Sequence, residues 1–216
     1  MGTYLLYIAI NLSVVLAALV MIIRFKKIPP VLYPFCALLL LGAVNELLSV
    51  YLVFNNYHNS VNGNIYILLE FILLSTQFYK WETISKKQCM FMVSMGALLW
   101  AADNFFFSNI FSNNSLTRIV YAFCLVFLSM DMINRRIVFG KDPLLHTTSF
   151  LIAIGMLIYY ACKTFVEVFN AFDLGFSNDF YAHIWFSLSV INAVTNILYA
   201  IALLWIPTKR KFILLS

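Results

Sequence analysis

Charge is scarce in this chain: 11% of its 216 residues are Asp, Glu, Lys or Arg, and the gaps 55–63, 108–115 and 170–179 contain no Lys or Arg at all. With 63% hydrophobic residues and a mean hydropathy of +0.90, the chain has more apolar surface than one soluble core of this size can bury, which excludes an ordinary soluble domain. Cysteine is equally sparse. Cys36, Cys89, Cys124 and Cys162 include no Cys-x-x-Cys pair and no histidine at ligand spacing. The chain therefore calls for no metal and no other cofactor, and the thiols read as apolar packing groups. No positive residue precedes the first apolar run, as a cleaved leader would require, so helix 1 is expected to remain as a reverse-oriented anchor. Position 6 is Leu6 rather than the Ser or Thr of a myristoylation signal.

The basic residues that are present have a simple arrangement. Twelve of the fourteen fall into four clusters: Arg24, Lys26 and Lys27; Lys80, Lys86 and Lys87; Arg135, Arg136 and Lys141; Lys209, Arg210 and Lys211. The clusters occupy every second gap between apolar stretches. Because Lys and Arg of short loops stay cytoplasmic, the pattern predicts an all-α integral membrane protein with seven transmembrane helices, its N-terminus outside and its C-terminus cytoplasmic. The same scatter over four helix ends suits anionic headgroups and excludes a nucleic-acid partner despite the net charge of +5. The expected location is a multi-pass position in the cell membrane, the bacterial inner membrane in particular.

About 20 apolar residues cross a hydrocarbon layer of about 30 Å. On that measure the spans fall at 3–23, 31–54, 64–79, 89–107, 116–133, 147–169 and 180–206. The third is short and contains Glu70, but omitting it would move a basic cluster outside. All five prolines, Pro29, Pro30, Pro34, Pro143 and Pro207, sit at cytoplasmic helix ends, where a missing N–H costs little. Trp81 and Trp205 are expected at the same level, in an interfacial aromatic belt.

The chain also partly repeats itself. Phe25-Lys26-Lys27-Ile28-Pro29 recurs as Phe139-Gly140-Lys141-Asp142-Pro143, and Val53-Phe54-Asn55 through Tyr66 recurs as Val168-Phe169-Asn170 through Tyr181, at offsets that differ by one residue. One domain, 1–216, is therefore expected, with parallel three-helix repeats at 1–80 and 116–207 joined by a linker helix at 89–107 and a site between the halves. In helix count and order this layout resembles sugar carriers built from three-helix repeats, carriers of the nicotinamide riboside type, and microbial rhodopsins. Retinal would need a Lys in helix 7, where 180–206 has none, and the Pro-rich helix pairs of the sugar carriers are missing. No residue role is carried over from any of them.

Ionisable groups within the spans carry the functional signal, since each is costly in hydrocarbon and tends to face a cavity or a partner. At about 1.5 Å per residue from the outer loops, Glu46 lies about 13 Å deep, Lys163 about 10 Å, and Glu70 and Asp103 about 9 Å. Glu167 and His183 are shallower. Tyr66, Glu70 and Gln77 share a face of helix 3; Asn45, Glu46 and Ser49 a side of helix 2; Tyr160, Lys163 and Glu167 a side of helix 6. Helix 7 has Ser189, Asn192 and Asn196 on one face and His183 with Ser187 nearly opposite, which predicts a helix enclosed by protein on both sides. The candidate ligand-binding set is therefore Glu46, Glu70, Asp103, Lys163, Glu167, His183, Asn45, Asn192 and Asn196. Asp131, beside Arg135 and Arg136, reads as a surface ion pair instead.

The bland reading makes these groups interhelical glue, worth about 0.6 kcal/mol per hydrogen bond. It suits the Asn and Ser residues. It fails for the acids, because one Lys cannot neutralise Glu46, Glu70 and Asp103 together, and carboxylates left over take up a proton or hold a cation. Three classes follow, in this order: a small-solute or proton/cation-coupled transporter with an outer acidic cavity; a membrane sensor or accessory subunit acting through a partner at its cytoplasmic loops; and an intramembrane enzyme on a lipid-like substrate, last because no nucleophile or acid–base motif names a reaction.

Overall fold

A computed structural model describes residues 10–140, 143–172 and 175–206. Lys141, Pro207 and the Lys209 cluster lie outside the described residues, as does most of the expected first half of helix 1. Seven α-helices are present among the described residues: α1 (Ser13–Arg24), α2 (Tyr33–Phe54), α3 (Ser60–Lys80), α4 (Lys86–Ala102), α5 (Ser115–Phe139), α6 (Thr148–Ala171) and α7 (Asn178–Leu204). Five segments are long and apolar enough to cross a membrane: Pro30–Phe54, Lys86–Phe107, Ser115–Phe139, Thr148–Ala171 and Asn178–Leu204. The chain is an all-helical bundle of membrane type.

The helix ends follow from local chemistry. Pro34 in the first turn of α2 has no N–H to satisfy, and the next orphan donor, Phe35 N, is taken by Gln77 Oε1 of α3 at 3.0 Å. The other end of the same amide, Gln77 Nε2, donates to the Val31 carbonyl at 2.9 Å. Ser85 and Gln88 form a capping box at the start of α4. Arg24 donates to the carbonyls of Leu204 and Ile206 at 3.0 and 2.6 Å, capping the C-terminus of α7 from α1. Two helices differ from expectation in their limits. α3 begins at Ser60, four residues before the expected Asn64, and Asn62, which read as a loop residue, finds partners in Ser49 and Asn59, while Asn64 donates to the carbonyls of Ile110 and Ser112. α5 continues to Phe139, its exposed last turns carrying the Asp131–Arg135 pair at 3.1 Å, as expected of a surface pair.

Sequential neighbours pack together, and α1 meets α7, so the helices close a ring; α3 also touches α5, which pushes α4 to the outside. Only Cys89 and Gly96 of α4 are buried. Close approach between α6 and α7 depends on Gly155, where a Cβ would lie 2.7 Å from a ring carbon of Tyr199. The distribution of polarity is inverted relative to a soluble protein. Leu47, Phe91, Leu98, Phe127 and Val194 are exposed, while Asn64, Glu70, Gln77, Lys163 and Glu167 are buried. Trp81 departs from the interfacial belt: it is buried against Phe78, ring centroids 5.5 Å apart.

Candidate functional site

A cavity of about 480 Å³ opens inside the ring at the end formed by the 55–59 and 108–114 loops, with walls from α2, α3, α5, α6 and α7. Below it lies a chamber of about 70 Å³ bounded by α1, α2, α3, α6 and α7. Glu46, Tyr66 and Tyr159 line both, so they form the junction. No residue of α4 reaches either chamber. Under the inner chamber the bundle is packed solid: Phe35, Leu74, Phe78, Ile152, Met156 and Leu203 are fully buried, and Phe35 meets Tyr199 edge to face at 5.0 Å.

The charges divide into pairs. Lys163 Nζ sits 3.1 Å from Glu70 Oε2, with both side chains 6% exposed. Tyr66 donates to the other Glu70 oxygen at 3.2 Å, and the ammonium lies 5.4 and 5.5 Å from the ring centres of Tyr159 and Tyr160. These hydrogen-bond and cation–π partners are what a buried ion pair needs to persist. At the rim, Arg118 faces Glu167 at 3.7 Å and donates to Asn64 Oδ1 at 3.1 Å. Asn64 in turn holds the 108–114 loop through its bonds to Ile110 and Ser112. Glu46 has no hydrogen bond and no ion-pair partner among the described residues, although it lines both chambers.

Seven of the nine expected residues are brought together. Asn45, Glu46, Lys163 and Glu167 line the outer chamber, and Glu46, Glu70, Asn192 and Asn196 the inner one. Asn196 donates to Ser13 at 3.0 Å, tying α7 to α1. Asp103 and His183 are elsewhere. Asp103 follows α4 in a π-helical turn, Asp103–Phe107, and its Oδ2 accepts from the backbone N and the hydroxyl of Thr117 at 2.9 and 2.6 Å, satisfying donors at the start of α5. His183 lies on an exposed face with Ser187, so α7 is not enclosed on both sides. The reason is that both residues bond their own helix, His183 to the Asp179 carbonyl and Ser187 to the His183 carbonyl, and need no neighbour.

Arg118 escaped the sequence reading because it stands next to an outer loop, where a charge looks solvated. The one available signal was the excess of buried acids over Lys163. The tyrosines Tyr159 and Tyr199 and the indole of Trp185 were also missed, since aromatic residues are ordinary in an apolar helix. Among the described residues no three His, Cys, Asp or Glu side chains are close enough to share a metal ion. No protein-family description, curated protein or solved structure matches the chain.

Proposed function

We propose that this chain is a small-solute transporter, coupled to a proton or a cation, that spans the membrane seven times with its N-terminus outside and binds its solute in the outer acidic cavity. The observation that carries this reading is Glu46, a carboxylate without a hydrogen-bond or ion-pair partner among the described residues, where two adjoining chambers meet inside a helix ring. Unpaired acids in such a position mark solute and ion pathways. The ring order supports the repeat as well: α1–α3 and α5–α7 flank the chambers, α4 stands aside as a linker, and the α3–α5 contact is the counterpart of α7–α1. α3 fits a span despite its polarity because its polar groups, Asn64, Glu70, Ser75 and Gln77, are turned into protein. Passage through the bundle requires the Phe35–Tyr199 plug to open toward the basic end.

The test is reconstitution in proteoliposomes with solid-supported-membrane current recording across a panel of amines, amino acids, sugars and carboxylates. At least one solute should evoke current in the wild-type protein and none in Glu46→Gln. Absence of flux together with co-purification of one defined protein would replace this reading with the accessory-subunit one.

A further inference from the structure

We propose that the site takes an organic monocation bearing N–H donors, a protonated primary amine or a guanidinium, with its head on Glu46 at the junction of the chambers and its body in the outer one. The inference rests on the cavity reading above and adds the chemical class of the ligand. Charge sets the first limit. The chambers carry Glu46, Glu70 and Glu167 against Lys163 and Arg118; two of the acids are paired, and among the described residues Glu46 is the acid left over. One positive charge completes the set. An anionic ligand would have to displace Glu70 from Lys163 or Glu167 from Arg118.

Hydrogen bonding sets the second limit. The carboxylate of Glu46, which lines both chambers, offers acceptor oxygens that meet no hydrogen-bond donor among the described residues. An ammonium or guanidinium supplies several donors to them. A quaternary ammonium has none and would leave those acceptors bare. Size sets the third. A volume of about 480 Å³ lies in the range of small-molecule sites and far exceeds a proton or a bare ion. Tyr66 and Tyr159 at the junction and Trp185 above it provide aromatic surface for a cation and for a flat or aliphatic body.

The experiment is isothermal titration of the full chain in lipid nanodiscs with benzylamine, butylamine and benzylguanidine, set against benzyltrimethylammonium, benzyl alcohol and benzoate. At least one N–H cation should bind saturably and about tenfold or more tighter than the three controls. Glu46→Gln should weaken it by about tenfold or more while Glu46→Asp retains most of the affinity. Glu46 has no hydrogen bond or ion pair among the described residues, so both variants should melt as the wild type does. The proposal is overturned by equal affinity for the quaternary or neutral analogue, by a Glu46→Gln protein that binds normally, or by no saturable binding of any of the three cations. Proteoliposome flux is a separate readout. Binding without flux keeps the ligand class and removes transport, whereas Glu46-dependent flux of benzyl alcohol or benzoate keeps transport and removes the ligand class.

Discussion

Replacing Lys163 with Met would leave the Glu70 carboxylate inside the bundle with the Tyr66 hydroxyl as its remaining partner. At the observed 3.1 Å separation and an effective dielectric constant of about 20, the lost attraction is about 5 kcal/mol. Removing one member of a buried pair typically destabilises by about 3–5 kcal/mol, because the other charge is stranded. At about 2–4 °C per kcal/mol for a chain of this length, the melting midpoint should fall by about 6–20 °C. Glu70→Gln strands the ammonium instead and should be comparably damaging. The double variant removes both charges and should recover most of the loss, since the two sites are directly coupled. Glu46→Gln should change stability by less than about 0.5 kcal/mol, because Glu46 has no hydrogen bond or ion pair among the described residues. Thiol-reactive fluorescence on heating suits the measurement, as Cys36 and Cys89 are free and buried. Equal melting of Lys163→Met and Glu46→Gln, or losses at positions 70 and 163 that simply add, would refute the division into one paired and one free acid.

The remaining expectations test other parts of the bundle. In cysteine-accessibility labelling, His58→Cys and Asn113→Cys should react from outside and Lys86→Cys should not; outside labelling at position 86 would remove α3 as a span. Asp103→Ala should destabilise by about 1–2 kcal/mol through the loss of its bonds to Thr117 and leave solute binding unchanged, which titration of the variant checks. Gly155→Ala, whose new methyl would meet Tyr199 at 2.7 Å, should cost about 1–3 kcal/mol and weaken binding by shifting a wall of the inner chamber. His183→Ala should change neither melting nor flux, and a loss of flux would return that residue to the site.

The sequence by itself determined the helical class, the seven helices found among the described residues and the membrane-like environment, because apolar length acts through lipid and is independent of which helices touch. It also named most of the inward polar residues, since an acid or amide in a span has few places to go. The tertiary structure decided which of them belong together. Helical spacing places Glu46, Glu70 and Asp103 at similar depth, but depth has no direction within the plane of a membrane. The order of the ring turned Glu70 toward Lys163, gave Asp103 to Thr117 at the edge, and joined Arg118 to Glu167 across α5 and α6. His183 and Glu46 looked alike as isolated ionisable groups. One bonds its own helix on an outer face, and the other stands between two chambers without a hydrogen-bond or ion-pair partner among the described residues, a difference that depends on which neighbours the packing brings within about 4 Å and that no linear pattern records.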